Sequence, residues 1–413
     1  MPHQSVAVLF GGRSVEHEVS IITAQQAMDA LEVAGYKVLP VYIAKDGAWY
    51  AGRPLRELAL FRDPTVKYED LSGVHRVAVS PDRTARFLVM HPYAKRGFFK
   101  RDPELWADVF FPCLHGTFGE DGTLQGVFEM ADVPYVGCGV QAAALGMDKV
   151  RSKALCKAAG IPALDCVWAT RAQWQRDPLG FLKKVEGAFP YPVIVKPCSL
   201  GSSIGVKRCL DSAGLREAVD TALVLDERVL VEPALTNFRE VNCSVIGPPY
   251  EASTCEMPHY KGDLLSFESK YSSGGKSGKL AGGKMSAAGM GKAAGAKAGV
   301  SAAGMASLNR TIPAPISEEL TKEAQRLAVA AFEAIGGEGI ARVDFLLDDN
   351  TGQLSFNEIN TMPGSLAYYL WEASGVGFDQ LVTKLVEGAL KRNESRRGTQ
   401  FAMDVNLLHP ARR

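Results

Sequence analysis

Residues 339–364 read GIARVDFLLDDNTGQLSFNEINTMPG, and this stretch decides the architecture. Two apolar runs, GIARVDFLL and LSFNEIN, flank DDNTGQ, whose Asp, Asn and Gly favour a turn, so the segment predicts a β-hairpin. With the turn centred on Thr351, Asp344 lies opposite Glu358 and Arg342 opposite Asn360. All four positions share one parity, so their side chains leave the same face of the hairpin. Two carboxylates and an amide oxygen there form a hard-oxygen set suited to Mg²⁺, which also draws on substrate phosphates. Arg342 beside them can neutralise charge developing on a transferred phosphoryl group or a tetrahedral oxyanion. Taken alone, Asp344 and Glu358 also fit a solvated hairpin face with cross-strand ion pairs. That reading weakens because Thr361-Met362-Pro363-Gly364 follows directly, a turn able to aim backbone N–H groups at a substrate. A bulge or one-residue slip would break the pairing without having to scatter the ligands.

Working outward, EVNCSVIG, an amphipathic helix near 317–335 and a helix near 378–392 complete a unit spanning 237–413. Before it, residues 139–236 hold a helix near 147–159, the strand PVIVK (192–196), a Gly/Ser loop and GVKR (205–208). Residues 1–138 alternate strand-like runs, SVAVLF (5–10), KVLPVYIA (37–44) and WADVFFPCLHG (106–116), with helical patterns. Such alternation predicts a mostly parallel α/β sheet.

Several motifs carry candidate chemistry. In KPCSLGSSIGVKR (196–208), Lys196 ends a strand and Gly201, Ser202, Ser203 and Gly205 form a loop able to close over phosphates. The Lys precedes the glycines, so this is no Walker A loop; an ordinary hairpin turn is the other reading. GMDKVRSK (146–153) sets Lys149 near a helix N-terminus, where a solvated lysine is equally ordinary. VEPAL (231–235), followed by Glu240, fits either a plain linker or a segment whose backbone meets a nucleobase, with Glu240 on ribose hydroxyls. Gly11-Gly12-Arg13 does not supply the G-x-G-x-x-G of a dinucleotide site. Glu16, just beyond that strand end, is placed to hold a substrate ammonium. His115, at a similar strand end, is placed either as a base or to position a substrate carboxylate.

The 413 residues carry 46 Lys+Arg against 46 Asp+Glu, which leaves no global field to draw the chain to nucleic acid or a membrane. The eight cysteines show no C-x-x-C spacing, several sit in apolar runs, and no signal peptide or membrane span is legible, so the expectation is a cytoplasmic protein. Residues 272–307 are almost entirely Gly, Ala, Ser, Lys and Met, which predicts a mobile loop; an Ala-driven helix is the alternative, opposed by a cost of about 1 kcal/mol per Gly.

In their order, FGGRSVEHEVS, HGTFGEDGTLQG, VPYVGCGVQAAALGMDKVRSK, VIVKPCSLGSSIGV, ESKY, ARVDFLL and FNEINTMPG resemble the D-alanine–D-alanine ligases of the ATP-grasp superfamily. The resemblance implies three domains: an N-terminal mostly parallel α/β domain and two α+β domains that clamp ATP. It implies that ATP phosphorylates the carboxylate of one D-alanine, and that the amine of a second attacks the acyl phosphate to give the dipeptide used for peptidoglycan. Glu16 then corresponds to the group holding the first ammonium, with Ser202 and Tyr271 as its partners on closing loops. Lys149, Lys196, Ser203, Glu232, Leu235 and Glu240 correspond to ATP contacts, and Asp344, Glu358 and Asn360 to ligands of two Mg²⁺, or Mn²⁺ in their place. Arg342 and the Gly364 N–H correspond to oxyanion stabilisers, and Lys270 to a contact of the second carboxylate. A homodimer is also implied. Two departures stand out. Tyr369 occupies a position where the family usually has Ser, which leaves open a D-alanine ligase with D-serine, D-lactate or another amino acid as second substrate. The 272–307 insert far exceeds the family's loop, and its five lysines serve either phosphate affinity or solubility.

Overall fold

The computed structural model describes residues 4–82, 88–90, 105–259 and 309–400. The segment 272–307, expected to be a mobile loop, lies outside them, as do Lys270 and Tyr271.

The first unit runs through strand β1 (Ser5–Gly11), helix α1 (His17–Val33), β2 (Lys37–Ile43), β3 (Trp49–Ala51), β4 (His75–Val79), β5 (Leu88–Met90), β6 (Val109–Pro112) and α2 (Thr123–Ala131). Its strands form one sheet in the order β5-β4-β3-β2-β1-β6. The expected parallel pairing holds between β1 and both β2 and β6, while β3, β4 and β5 extend the sheet antiparallel. β1 is covered on both faces, which is why it reads as an unbroken apolar run. Ala7 and Leu9 pack with Phe110 and Phe128; Val6, Val8 and Phe10 pack with Ile21 and Met28 of α1.

Helix α4 (Lys149–Ala158) is the one expected near 147–159, and a further helix, α3 (Val140–Met147), precedes it. Asp148 separates them: its backbone is extended, and its Oδ1 accepts the Val150 and Arg151 N–H groups, each at 3.1 Å, as an N-cap. Ala142, Ala143, Cys156 and Ile161 pack into the core of the third unit, although the sequence groups 139–161 with the second.

The second unit's own core begins at β7 (Val167–Thr170) and continues through α5 (Arg171–Arg176), α6 (Pro178–Ala188), β8 (Val193–Pro197), β9 (Lys207–Cys209), α7 (Ser212–Leu225) and β10 (Arg228–Pro233). The sheet, ordered β7-β10-β8-β9, is antiparallel. Val193, Val195, Val229 and Val231 enter that core, so strand alternation turns Ile194, Lys196 and Glu232 toward a cavity on the other face.

The third unit comprises β11 (Phe238–Gly247), β12 (Glu251–Pro258), β13 (Arg310–Thr311), α8 (Glu318–Ala334), β14 (Gly339–Asp348), β15 (Leu354–Asn360), α9 (Tyr368–Ala373) and α10 (Phe378–Arg396). Its sheet runs β13-β12-β11-β14-β15, antiparallel throughout. The α8 stripe Ala324, Leu327, Ala328, Ala331 and Phe332 has helical spacing and covers Val241, Val343 and Phe345. α10 reaches back instead: Leu381, Leu385 and Val386 share a core with β1 and α1, which seats the third unit on the first.

The hairpin pairs as expected at the site, Arg342 with Asn360 and Asp344 with Glu358, but Phe345 then faces Phe356. Asn357 is the extra residue of a bulge. Phe356 is buried in the core while Glu358 lies on the site face, and equal parity forbids that without one inserted residue. Among the described residues no helix is long and apolar enough to cross a membrane.

The first and third units touch at two glycines. A Cβ on Gly339, whose φ is +79°, would fall 2.6 Å from the Gly137 Cα; Gly336 has φ +69° but open space around it. G336A is therefore expected to cost only the left-handed penalty, about 1–2 kcal/mol. G339A must also move backbone, so denaturant unfolding should show a clearly larger loss; equal losses would mean that the junction yields freely.

Candidate active site

The second and third units face each other across a cavity of about 610 Å³. Lys149, Lys196, Ser203, Glu232, Leu235 and Glu240 all line it, together with Glu358. Two chambers of about 30 and 40 Å³ share Glu358 with the cavity. The first is bounded by Glu16, Glu120, Lys149, Gly201 and Asn360, the second by Glu16, His115, Ser202, Arg342, Asn360 and Gly364. Residues scattered from 16 to 364 thus converge on one place.

Cations crowd the cavity side. Lys196 lies opposite Leu230 in the sheet, which sets Glu232 diagonally across from it on the same face. The Glu232 carboxylate pairs with Lys196 and, at 2.9 Å, with Lys153. Burial pushes the Glu232 carboxyl up, but the two ammonium groups overcome this and hold it down at about 2. Lys196 also donates to the Asn357 Oδ1 at 2.9 Å, a contact made by the bulged residue.

At the junction, the Lys149 Nζ lies 3.2 Å from the Glu358 Oε2 and donates to the Leu200 carbonyl at 2.6 Å. Burial alone would lower the Lys149 pKa; the Glu358 carboxylate outweighs it and raises it. Next along the hairpin face, the Arg342 Nε and Nη2 each donate to one Asp344 oxygen at 2.7 Å, and the Asn360 Nδ2 donates to the Asp344 Oδ2 at 3.1 Å. Burial opposes the charge on Arg342, yet the bidentate pair with Asp344 keeps it protonated.

On the chamber side, Glu16 stands at the N-terminus of α1 and accepts a hydrogen bond from the Ser202 Oγ. Glu120 sits beside it, accepting the Gly116 N–H at 2.8 Å and the Met362 N–H at 2.9 Å. His115 is buried between Thr23 and Met362, and burial pushes its imidazole down to about 4, with Arg342 adding to the effect. With both ring nitrogens engaged by protein groups, no lone pair is open for the base role that one sequence reading allowed.

Tyr369 is fixed by its surroundings. Its hydroxyl donates to the Glu256 Oε1 at 3.3 Å, and the Arg310 guanidinium lies 4.0 Å over its ring while bonding the Glu256 Oε2 at 2.6 Å. Burial, then the Glu256 charge, pushes the phenol up to about 12.

Sequence reasoning passed over Glu120, Thr23, Lys153 and Asn357. Lys153 follows Lys149 by four residues, and Thr23 follows Glu16 by seven, so helical spacing alone puts each on the same face as its neighbour. Glu120 lies within the HGTFGEDG run that supplied His115.

Burial, then the Glu16 charge, pushes the Glu120 carboxyl up to about 8. In an unfolded chain a glutamate ionises near pH 4.3, at about its reference value. Between those limits the folded protein binds the extra proton, so this group makes stability fall as pH rises. Glu120→Gln lacks the effect, though its amide sets an N–H against a backbone N–H. Its Tm deficit against wild type, measured on metal-free protein, should shrink from about pH 5 to about pH 8. A pH-independent deficit would show that Glu120 ionises normally.

A family profile described as D-ala D-ala ligase N-terminus matches residues 5–138. One described as D-ala D-ala ligase C-terminus matches 155–286 and 303–387, leaving 287–302, inside the low-complexity insert, unmatched. The D-alanine–D-alanine ligase of Streptomyces coelicolor is 38% identical over 403 residues, covering 94% of this chain and 93% of its own. That of Heliobacterium modesticaldum is 37% identical over 399 residues, covering 95% and 96%. Among solved structures, the VanG D-Ala:D-Ser ligase from Enterococcus faecalis superposes with a TM-score of 0.73 at 27% identity, over 94% of this chain and 99% of that one. The D-alanine–D-alanine ligase from Coxiella burnetii gives 0.71 at 27% identity, over 95% and 97%. Two α+β units closing on one cavity beside an α/β unit are the expected ATP-grasp architecture, and with relatives of matching length the chain belongs to the D-alanine–D-alanine ligase family.

Proposed function

We propose that this enzyme joins two D-alanine molecules to D-alanyl-D-alanine with ATP as the activating substrate, supplying a peptidoglycan precursor. The observation that carries the reading is the position of Glu358, which lines the large cavity and both small chambers and lies opposite Asp344. The cavity suits a nucleotide: Glu232 and Leu235 frame the base, Glu240 takes ribose hydroxyls, and Lys149, Lys196 and Ser203 meet phosphates. Glu16, held by Ser202, binds the ammonium of the first D-alanine, whose carboxylate then lies between Arg342 and the Gly364 N–H. Those two donors stabilise charge on the carboxylate as it takes the phosphoryl group and as the second amine attacks it. Enclosure of the small chambers keeps water from the acyl phosphate. Lys270 and Tyr271 belong to this proposal as partners of the second D-alanine and of the Glu16–Ser202 pair.

Asp344, Glu358 and Asn360 offer hard oxygens on one face, a donor set that fits Mg²⁺ or Mn²⁺. Among the described residues no group of three or more His, Cys, Asp or Glu side chains is placed for a metal, so two carboxylates, an amide and the ATP phosphates make up the set. When bound, the cations would neutralise and polarise the triphosphate. A homodimer in a reducing cytoplasm completes the proposal; the eight free cysteines support the reducing compartment.

Purified protein given ATP, Mg²⁺ and a mixture of D-alanine, D-serine and D-lactate should yield ADP and D-alanyl-D-alanine by mass spectrometry. A dominant mixed product would instead favour the D-alanine–X reading, for which the locked Tyr369 is the structural ground. Glu358→Gln keeps the side chain's shape and an oxygen for Lys149 but removes the charge that partners it, so Tm should fall by a few degrees with the fold intact while kcat falls at least ~100-fold. Unchanged ADP release in that variant would remove Glu358 from the metal site.

A further inference from the structure

We propose that Thr23 is a positioning residue for the ligation: through its hydroxyl and His115 it holds the turn Met362–Ser365 in the shape that presents the Gly364 N–H to the substrate chamber. The activity part of this inference rests on the ligase reading.

The turn's own hydrogen bond, from the Leu366 N–H to the Pro363 carbonyl at 2.8 Å, works against backbone strain. Ser365 (φ 53°, ψ 24°), Leu366 (φ 52°, ψ 21°) and Ala367 (φ 48°, ψ 27°) are three successive non-glycine residues in the left-handed region. Each is strained there, so the conformation persists only if its surroundings over-determine it. Those surroundings come from the first unit. The Met362 N–H donates to Glu120 at 2.9 Å, the Met362 carbonyl contacts the His115 Nδ1 at 2.9 Å, and the Ser365 N–H donates to the Thr23 Oγ1 at 3.0 Å. Gly364 lies between the two clamped residues and lines the chamber with Glu16, Ser202 and Arg342.

The direction of every bond follows from one carbonyl. The Met362 oxygen can only accept, so the His115 Nδ1 carries the proton and its Nε2 is an acceptor. The Thr23 hydroxyl, 2.8 Å from that Nε2, must therefore donate to it, which leaves a lone pair for the Ser365 N–H. Thr23 is 1% exposed, so no water replaces its hydroxyl when it is removed. Thr23→Val keeps the shape and orphans both the Ser365 N–H and the His115 Nε2 at once.

The test has two arms. In hydrogen–deuterium exchange, peptides covering 362–367 should exchange faster in T23V than in wild type, with the rest of the chain unchanged. In steady-state assays with ATP, Mg²⁺ and D-alanine, T23V should lose about 10- to 100-fold in kcat, as a misplaced oxyanion donor does, with KM for D-alanine within about threefold. Thr23→Ser should restore both readouts. Should T23V not fold, Thr23→Cys, with a weakly bonding thiol, should give an intermediate exchange rate and kcat. Wild-type protein that forms no dipeptide would sink the ligase reading, while the exchange arm would still judge the clamp. Wild-type exchange at 362–367 together with unchanged kcat in T23V would overturn this inference.

Discussion

Lys149 carries its ammonium from the first position of α4, with the Glu358 carboxylate 3.2 Å away and the Leu200 carbonyl 2.6 Å away. Three separate pieces meet at that atom: a helix packed on the third unit's core, the last strand of the hairpin, and the Gly/Ser loop of the second unit. A buried charge without a partner is costly, so none of the three can shift alone. The same rule governs the flanks. Arg342 is buried because Asp344 meets it with both oxygens, and Lys153 is buried because the Glu232 Oε2 on β10 meets it at 2.9 Å. The cleft is therefore assembled by charge pairing, across segments for Lys149–Glu358 and Lys153–Glu232 and within β14 for Arg342–Asp344.

Two buried glutamates show how that placement creates chemistry. Glu232, between two ammonium groups, is held down at about 2, whereas Glu120, beside Glu16, is pushed up to about 8. One residue type thus stands in opposite protonation states on the two sides of Glu358. The cavity side keeps fixed cations for an anionic ligand. The chamber side sets the Glu16 carboxyl, beside Glu120 and Glu358, where an ammonium can meet it.

Much of this was legible in the chain because short-range periodicity encodes it. The shared parity of Arg342, Asp344, Glu358 and Asn360 needs only a strand and a turn, and the structure pairs them so. Lys196 at a strand end before a glycine-rich loop is equally local. The parts not legible depend on tertiary meetings. Nothing in α1 announces that Thr23 will meet residue 365, since the contact spans 342 positions. Helices α3 and α4 follow the first unit in sequence yet pack under the third, a choice made by Ala142, Ala143 and Cys156 joining the apolar core against β15 and α8. Ser365, Leu366 and Ala367 give no hint of left-handed backbone, because the surroundings impose it against their own preference.

The bulge at Asn357 carries an evolutionary corollary. It divides β15 into two half-strands of opposite phase, one keyed to the apolar interior by Phe356 and one keyed to the reaction by Glu358. Exchanging amino acids at 357 leaves that phase relation intact, although a residue without a side-chain acceptor there gives up the Lys196 hydrogen bond. Losing the codon does not, because it would rotate either the phenyl ring or the carboxylate through half a turn. The length of this hairpin is thus a constraint separate from the chemistry of its letters.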